Sequence, residues 1–300
     1  MANVEQTKKQ AILRYVVIIA ACLLMGGIVF WLMRQENEPP TPTPDNPDQT
    51  SINIGIPIND SPGFSSMQDG QRNGFDIDLA NYIADGLGRH PNFVPITVDS
   101  REKQLEQHYI DIAISTYSIS DKRIAQGVIF AGPYMRTDQG ILVDQDNNDI
   151  QNVEDLEGKT VCVTKGSTSA DKLEEFKKTI NVVSLERDTF TQCLDDLRNP
   201  STNVTAITND SVILQGHAHA DKTLKFLPGV VIPGTYEKYG VGLPKDNPEL
   251  CKQISKLLKS FVTTQWNAAF TANIQIDSSQ NASMLKPDPS TIDTESCRTD

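Results

Sequence analysis

The sequence predicts an α/β protein of two lobes, joined by a hinge around a cleft and carried behind one N-terminal transmembrane helix. Three observations predict this. From Ser51 onward, strand-like and helix-like segments alternate, and the alternation restarts after about residue 155. Apolar crossover segments lie near Pro133–Val143 and Pro233–Leu243. Residues Tyr15 to Met33 carry no charge, and as a helix they roughly span a hydrocarbon core of about 30 Å.

Lys8, Lys9 and Arg14 precede the apolar run, while Glu36, Glu38, Asp45 and Asp48 follow Arg34. This asymmetry places residues 1–14 in the cytoplasm, 15–33 in the membrane and the rest outside the cell. Ile19-Ala20-Ala21-Cys22 offers a second reading, a lipoprotein signal with Cys22 lipidated. Either way the folded part is tethered on the extracytoplasmic face. Residues 34–50, rich in Pro, Asp, Asn and Thr, form an extended spacer.

The folded part is expected over 51–275. Ile52 to Ile56 alternates as a strand, and Phe75, Leu79, Tyr82, Ile83 and Leu87 share one helix face. Further strands are expected at Phe93–Val98 and Ile110–Ser115, with a polar helix at Arg101–His108 between them. The second run places strands at Leu156–Thr164, Asn181–Leu185 and Val204–Thr208, and helices at Ser169–Lys177 and Thr189–Arg198. Tyr239–Leu243 crosses back, and an amphipathic helix covers Leu250–Thr263. Lobe one therefore comprises 51–138 and 240–275, and lobe two 139–239, with a parallel sheet in each. The polar tail, 276–300, is expected to be loose apart from Cys297.

A net charge of −12 and a pI near 4.8 argue against a nucleic-acid partner. Outside the membrane segment four cysteines remain, and an oxidising compartment suggests two disulfides with three connectivities. We expect Cys162–Cys193 and Cys251–Cys297. No metal or cofactor motif is present: His217 and His219, two residues apart, do not make a metal site. Trp266 and Phe270 are at helical spacing and read as packing residues. Asp76 and Asp78 start a helix, where acids suit the dipole.

Ligands of open α/β sheets bind at strand ends beside helix N-termini. There the chain places Thr116, Ser118 and Arg123, then Ser167 and Thr168 at a helix start, then Asp210. An arginine and helix amides suit a carboxylate, and an aspartate suits an ammonium. Taken singly, each residue also reads as a surface group or a helix cap. Together they describe a site for an α-amino acid.

Gly74-Phe75-Asp76-Ile77-Asp78-Leu79-Ala80, Ile119 to Arg123, Phe130 to Tyr134, Leu156 to Val161, Lys165 to Ser169 and Gly240 to Pro244 recur in fixed order. This series resembles the polar amino-acid group (family 3) of periplasmic-type solute-binding proteins. Ser61 to Phe64, Val161 to Val163 and Thr191 to Cys193 are most similar to the glutamate- and glutamine-binding branch of Gram-positive bacteria. The resemblance implies the type II periplasmic-binding-protein fold, an α-carboxylate on Arg123, further contacts at Ser118, Thr116 and Thr168, and an ammonium on Asp210. Many relatives have glycine at the position of Thr116. Lys165, Arg136 and Arg72 are candidates for a side-chain pocket. The implied ligand is glutamate or aspartate, then glutamine or asparagine. The implied partner is an ABC importer permease, with a membrane signalling protein as alternative. An enzyme on the same fold, such as a dehydratase, finds no nucleophile–base pair here.

Overall fold

A computed structural model describes residues 50–234, 236–276 and 281–299. The cytoplasmic segment, the 15–33 anchor and nearly all of the spacer lie outside the described residues. Among those described, no helix is long and apolar enough to cross a membrane.

Lobe one is built on a five-stranded sheet in the order β4-β1-β5-β12-β6. β1 (Ser51–Pro57) runs parallel to β4 (His90–Ile96) and to the short β5 (Ile112–Ala113). β12 (Glu237–Pro244) runs antiparallel to β5 and to β6 (Val128–Thr137). Between β1 and β4 the chain makes a small hairpin, β2 (Ser66–Gln68) and β3 (Gln71–Asn73), then helix α1 (Phe75–Gly86). The apolar positions of α1, Phe75, Leu79 and Ile83, are fully buried, as are Ile52, Ile54 and Ile56 of β1. After β4 come α2 (Arg101–Glu106) and, beyond β5, α3 (Asp121–Ala125).

Lobe two has the order β11-β7-β10-β8-β9. β8 (Thr160–Thr164), β9 (Val183–Arg187) and β10 (Val204–Asp210) are parallel, with α4 (Thr168–Phe176), α5 (Phe190–Arg198) and α6 (Ser211–Ala220) as connections. β7 (Gln139–Asp144) runs against both β10 and β11 (Leu224–Val231). Both sheets are therefore mixed rather than wholly parallel. The cause is the hinge. The chain leaves lobe one from β6 into β7 and returns from β11 into β12. The outgoing strand β7 enters lobe two against β10, and the returning β12 enters lobe one between β5 and β6 against both.

After β12, α7 (Pro248–Thr264) and α8 (Trp266–Asn273) close lobe one. Trp266 and Phe270 stack at 4.6 Å between ring centroids, and the indole N–H donates to the Tyr134 carbonyl at 2.8 Å. Both expected disulfides are formed, Cys162–Cys193 in lobe two and Cys251–Cys297 in lobe one. The tail departs from expectation. Residues 281–299 are ordered against lobe one through α9 (Ala282–Leu285) and α10 (Pro289–Glu295), with Leu285 and Ile292 buried. Cys297 N–H donates to the Phe130 carbonyl, and Ser296 Oγ bonds both backbone groups of Gly132, so the tail covers the outer edge of β6.

Candidate functional site

The lobes meet around a cleft of about 780 Å³, counting space open to solvent. Of the residues expected at the site, Thr116, Ser118, Arg123, Ser167, Thr168 and Asp210 all line it. Lobe one supplies the turn after β5. Ser118 pairs with Tyr239 of β12, and Gly240 N–H donates to the Tyr117 carbonyl, so the β12 backbone braces this turn.

Arg123 is 4% exposed. It donates from Nη1 to the Ser118 carbonyl at 2.6 Å and from Nε to Glu102 Oε1 at 3.2 Å. Across the cleft its Nη2 reaches the Gly166 carbonyl at 3.2 Å. Thr168 Oγ1 meets Ser118 Oγ at 3.2 Å, and Lys122 Nζ pairs with Asp171 at 2.8 Å, also between lobes. Gly166 is at φ +73 with the Asp99 backbone so close that a Cβ would lie 2.8 Å from it. A side chain here would push the lobes apart.

In lobe two, Ser167 caps α4, accepting from Ala170 N–H and donating to the Thr164 carbonyl at 2.6 Å. Its hydroxyl is thus committed to the helix, while the start of α4 at Thr168 and Ser169 forms cleft wall, a site suited to a carboxylate. Asp210 is the residue before α6 and makes no side-chain cap bond. One of its oxygens, Oδ2, accepts from Tyr239 Oη at 2.5 Å. The other, Oδ1, is buried without a partner among the described residues. Burial, then the nearby Glu237 carboxylate, raise its pKa, and the Tyr239 hydrogen bond opposes them. Glu237 is itself paired with Lys172 of α4. Cap duty does not explain Asp210, and an ammonium would satisfy both its charge and its open oxygen.

The three cations expected at a side-chain pocket fall elsewhere. Lys165 is exposed and pairs with Asp99 at 3.5 Å. Arg72, on β3, donates to Ser65 Oγ at 3.2 Å and lies 3.9 Å from Asp60. Arg136, on β6, is near Asp288 of the tail. None of them lines the cleft.

A cation that sequence reasoning missed does line it. Arg101, at the start of α2, is 4% exposed. It donates from Nε to the Val98 carbonyl at 3.0 Å and from Nη1 to the Ser115 carbonyl at 3.2 Å. Its guanidinium lies 4.3 Å from the Tyr117 ring centroid, and that of Arg123 lies 4.7 Å from the same ring. Burial, then repulsion from Arg123, lower its pKa to about 10. Among the described residues no carboxylate is in ion-pair range of Arg101. The signal available in the sequence was spacing: Arg101 and Leu105, four apart, are the two buried residues of α2. His217, on α6, also borders the cleft, stacked on Phe190 at 4.3 Å. Burial, then Arg198, push its pKa down to about 4, so it is a neutral wall.

Residues 52–272 match the family of bacterial extracellular solute-binding proteins, family 3. Among curated proteins, the glutamate-binding protein GluB of Corynebacterium glutamicum is 30% identical over 76% of this chain and 80% of its own. The ABC transporter glutamine-binding protein GlnH of Bacillus subtilis is 32% identical over 66% and 70%. Among solved structures, an ancestral arginine-binding protein bound to glutamine superposes with a TM-score of 0.67 at 28% identity, covering 74% of this chain and 97% of that one.

Proposed function

Because the chain belongs to the bacterial extracellular solute-binding proteins of family 3, we propose that it is an extracytoplasmic receptor for an acidic α-amino acid, glutamate or aspartate ahead of glutamine or asparagine. One observation carries the acidic preference: Arg101 is a buried cation in the cleft that forms no ion pair among the described residues, Glu102 and Asp210 acting on it only at longer range. A buried unpaired charge is costly, and a ligand carboxylate relieves it. Arg123 and the α4 amides then take the α-carboxylate, Ser118 and Thr116 add contacts from lobe one, and Asp210 takes the ammonium. The relative GluB, named for glutamate, supports the same choice.

The ligand binds lobe one first. Closure then adds Thr168 and Asp210, contacts that favour the closed state. The closed form is handed to an ABC importer permease. The apolar segment 15–33 and the spacer after it favour one alternative, a membrane-anchored sensor presenting the closed form to a signalling partner. Loss of uptake in cells lacking the chain supports the importer; intact uptake supports the sensor.

Calorimetric titration of residues 51–300 with glutamate, aspartate, glutamine and asparagine tests the reading. Wild type is expected to bind an acidic ligand. Arg123→Ala should lose all four, by about 100-fold or more. Arg101→Gln should erase the preference for glutamate over glutamine. If wild type prefers glutamine, or Arg101→Gln weakens both equally, the acidic assignment fails. If it binds no amino acid, the receptor reading fails.

A further inference from the structure

Thr116 lies at φ +47, in the left-handed region. For a β-branched residue this conformation is a genuine outlier, and it persists only where the surroundings impose it. The Thr116 amide is held from behind by Asp76. This residue lies in the first turn of α1, but it makes no cap bond to its own helix. Fully buried, it accepts the Thr116 N–H on Oδ2 at 2.8 Å and the Tyr134 hydroxyl on Oδ1 at 3.0 Å. No cation is within ion-pair range of it among the described residues. Burial pushes its pKa up to about 7, and the Thr116 and Tyr134 hydrogen bonds only partly offset that. Asp76 stands in the first turn of its helix, as expected, and in addition serves a backbone amide forty positions along the chain.

The peptide it grips carries both cleft arginines. The Ser115 carbonyl, immediately before Thr116, accepts from Arg101 Nη1 and from Thr116 Oγ1, the latter at 2.7 Å. The Ser118 carbonyl, two residues after, accepts from Arg123 Nη1. The backbone at Thr116 thus sets where the two guanidiniums sit relative to each other.

We infer that Asp76 is a positioning residue for the cleft, holding Thr116 left-handed from behind and so fixing the spacing of Arg101 and Arg123. This rests on the amino-acid reading above. Asp76 touches no ligand; it acts through the turn.

The test is a cycle on the full chain in mild detergent, with glutamate affinity as readout. Asp76→Ala, Thr116→Gly and the double variant are compared with wild type. Asp76→Ala should weaken glutamate by about tenfold or more. In the Thr116→Gly background the same change should cost only two- to threefold, because glycine adopts positive φ without help. Asp76→Asn, which keeps an acceptor for the Thr116 amide, should retain affinity within about threefold. If Asp76→Ala does not fold, Asp76→Ser replaces it, its hydroxyl being too short to reach the amide. No loss in Asp76→Ala, or an equal loss in both backgrounds, overturns the inference while leaving the receptor intact. Failure of wild type to bind any amino acid overturns the reading beneath it.

Discussion

Asp76 and Asp210 are both buried carboxylates, and each accepts from a tyrosine of the lobe-one sheet, Tyr134 on β6 and Tyr239 on β12. The two rings are neighbours, 5.9 Å between centroids. Burial raises the pKa of both acids. They differ in one oxygen. Asp76 has both satisfied within the protein, whereas Asp210, a residue of the cleft lining, has Oδ1 buried with no partner among the described residues. A shifted pKa marks both residues alike; only the hydrogen-bond account separates Asp76, complete within the protein, from Asp210, for which we propose a ligand ammonium.

The strongest challenge to this comparison is Asp210→Asn. Glutamate affinity should fall by about 100-fold, since the amide oxygen can accept from an ammonium but carries no charge to neutralise it. Thermal unfolding of the ligand-free protein should hold or rise, because the amide oxygen still accepts from Tyr239 Oη and there is no carboxyl left whose ionisation burial opposes. A large fall in stability would show that Asp210 belongs with Asp76 as scaffold. Tyr239→Phe is the milder version, expected to cost about tenfold. Without the phenol, Asp210 is protonated more readily, so the loss should be larger at pH 7 than at pH 9; a pH-independent loss would assign Tyr239 to packing alone.

Stability against pH sharpens the contrast further. Asp76 titrates near 3.8 when unfolded and at about 7 when folded. Between those values the native state holds the proton that the unfolded chain has lost. Stability is therefore highest below pH 4 with respect to this group, and falls by a few kcal/mol as pH rises to about 7. Denaturant titrations should show that fall, and Asp76→Asn should flatten it. Saturating glutamate should not flatten the Asp76 part, because the ligand does not touch it. The smallest effect is expected from Lys122→Ala. Its partner Asp171 is across the cleft, but both side chains are exposed, so affinity should change less than about threefold.

Much of the site was legible because its residues sit at strand ends and helix starts, which local patterns reveal. Arg123, Thr168 and Asp210 are of that kind. Arg101 was hidden by its neighbours: Glu102, Lys103 and Gln104 make the segment read as a solvated face, and burial depends on how α2 seats against the sheet. Asp76 was legible as a helix-start acid, but not its second role, because its partners are 40 and 58 residues away. Strand direction was lost for a related reason. Periodicity shows that β7 and β12 are strands, but not that crossing a hinge reverses them. In the tail, two buried apolar residues were too sparse to register, and the disulfide to Cys251 helps hold the segment down.

That clasped tail bears on how the protein can be shortened. A chain cut after Ile276 would keep every residue assigned to the cleft. It would also release the Cys251 thiol and strip the cover from the backbone of β6, the last strand of its sheet. An uncovered strand edge beside a reactive thiol invites pairing with a second copy. Such a fragment should bind its amino acid normally, yet accumulate as dimers and larger species in the absence of reductant.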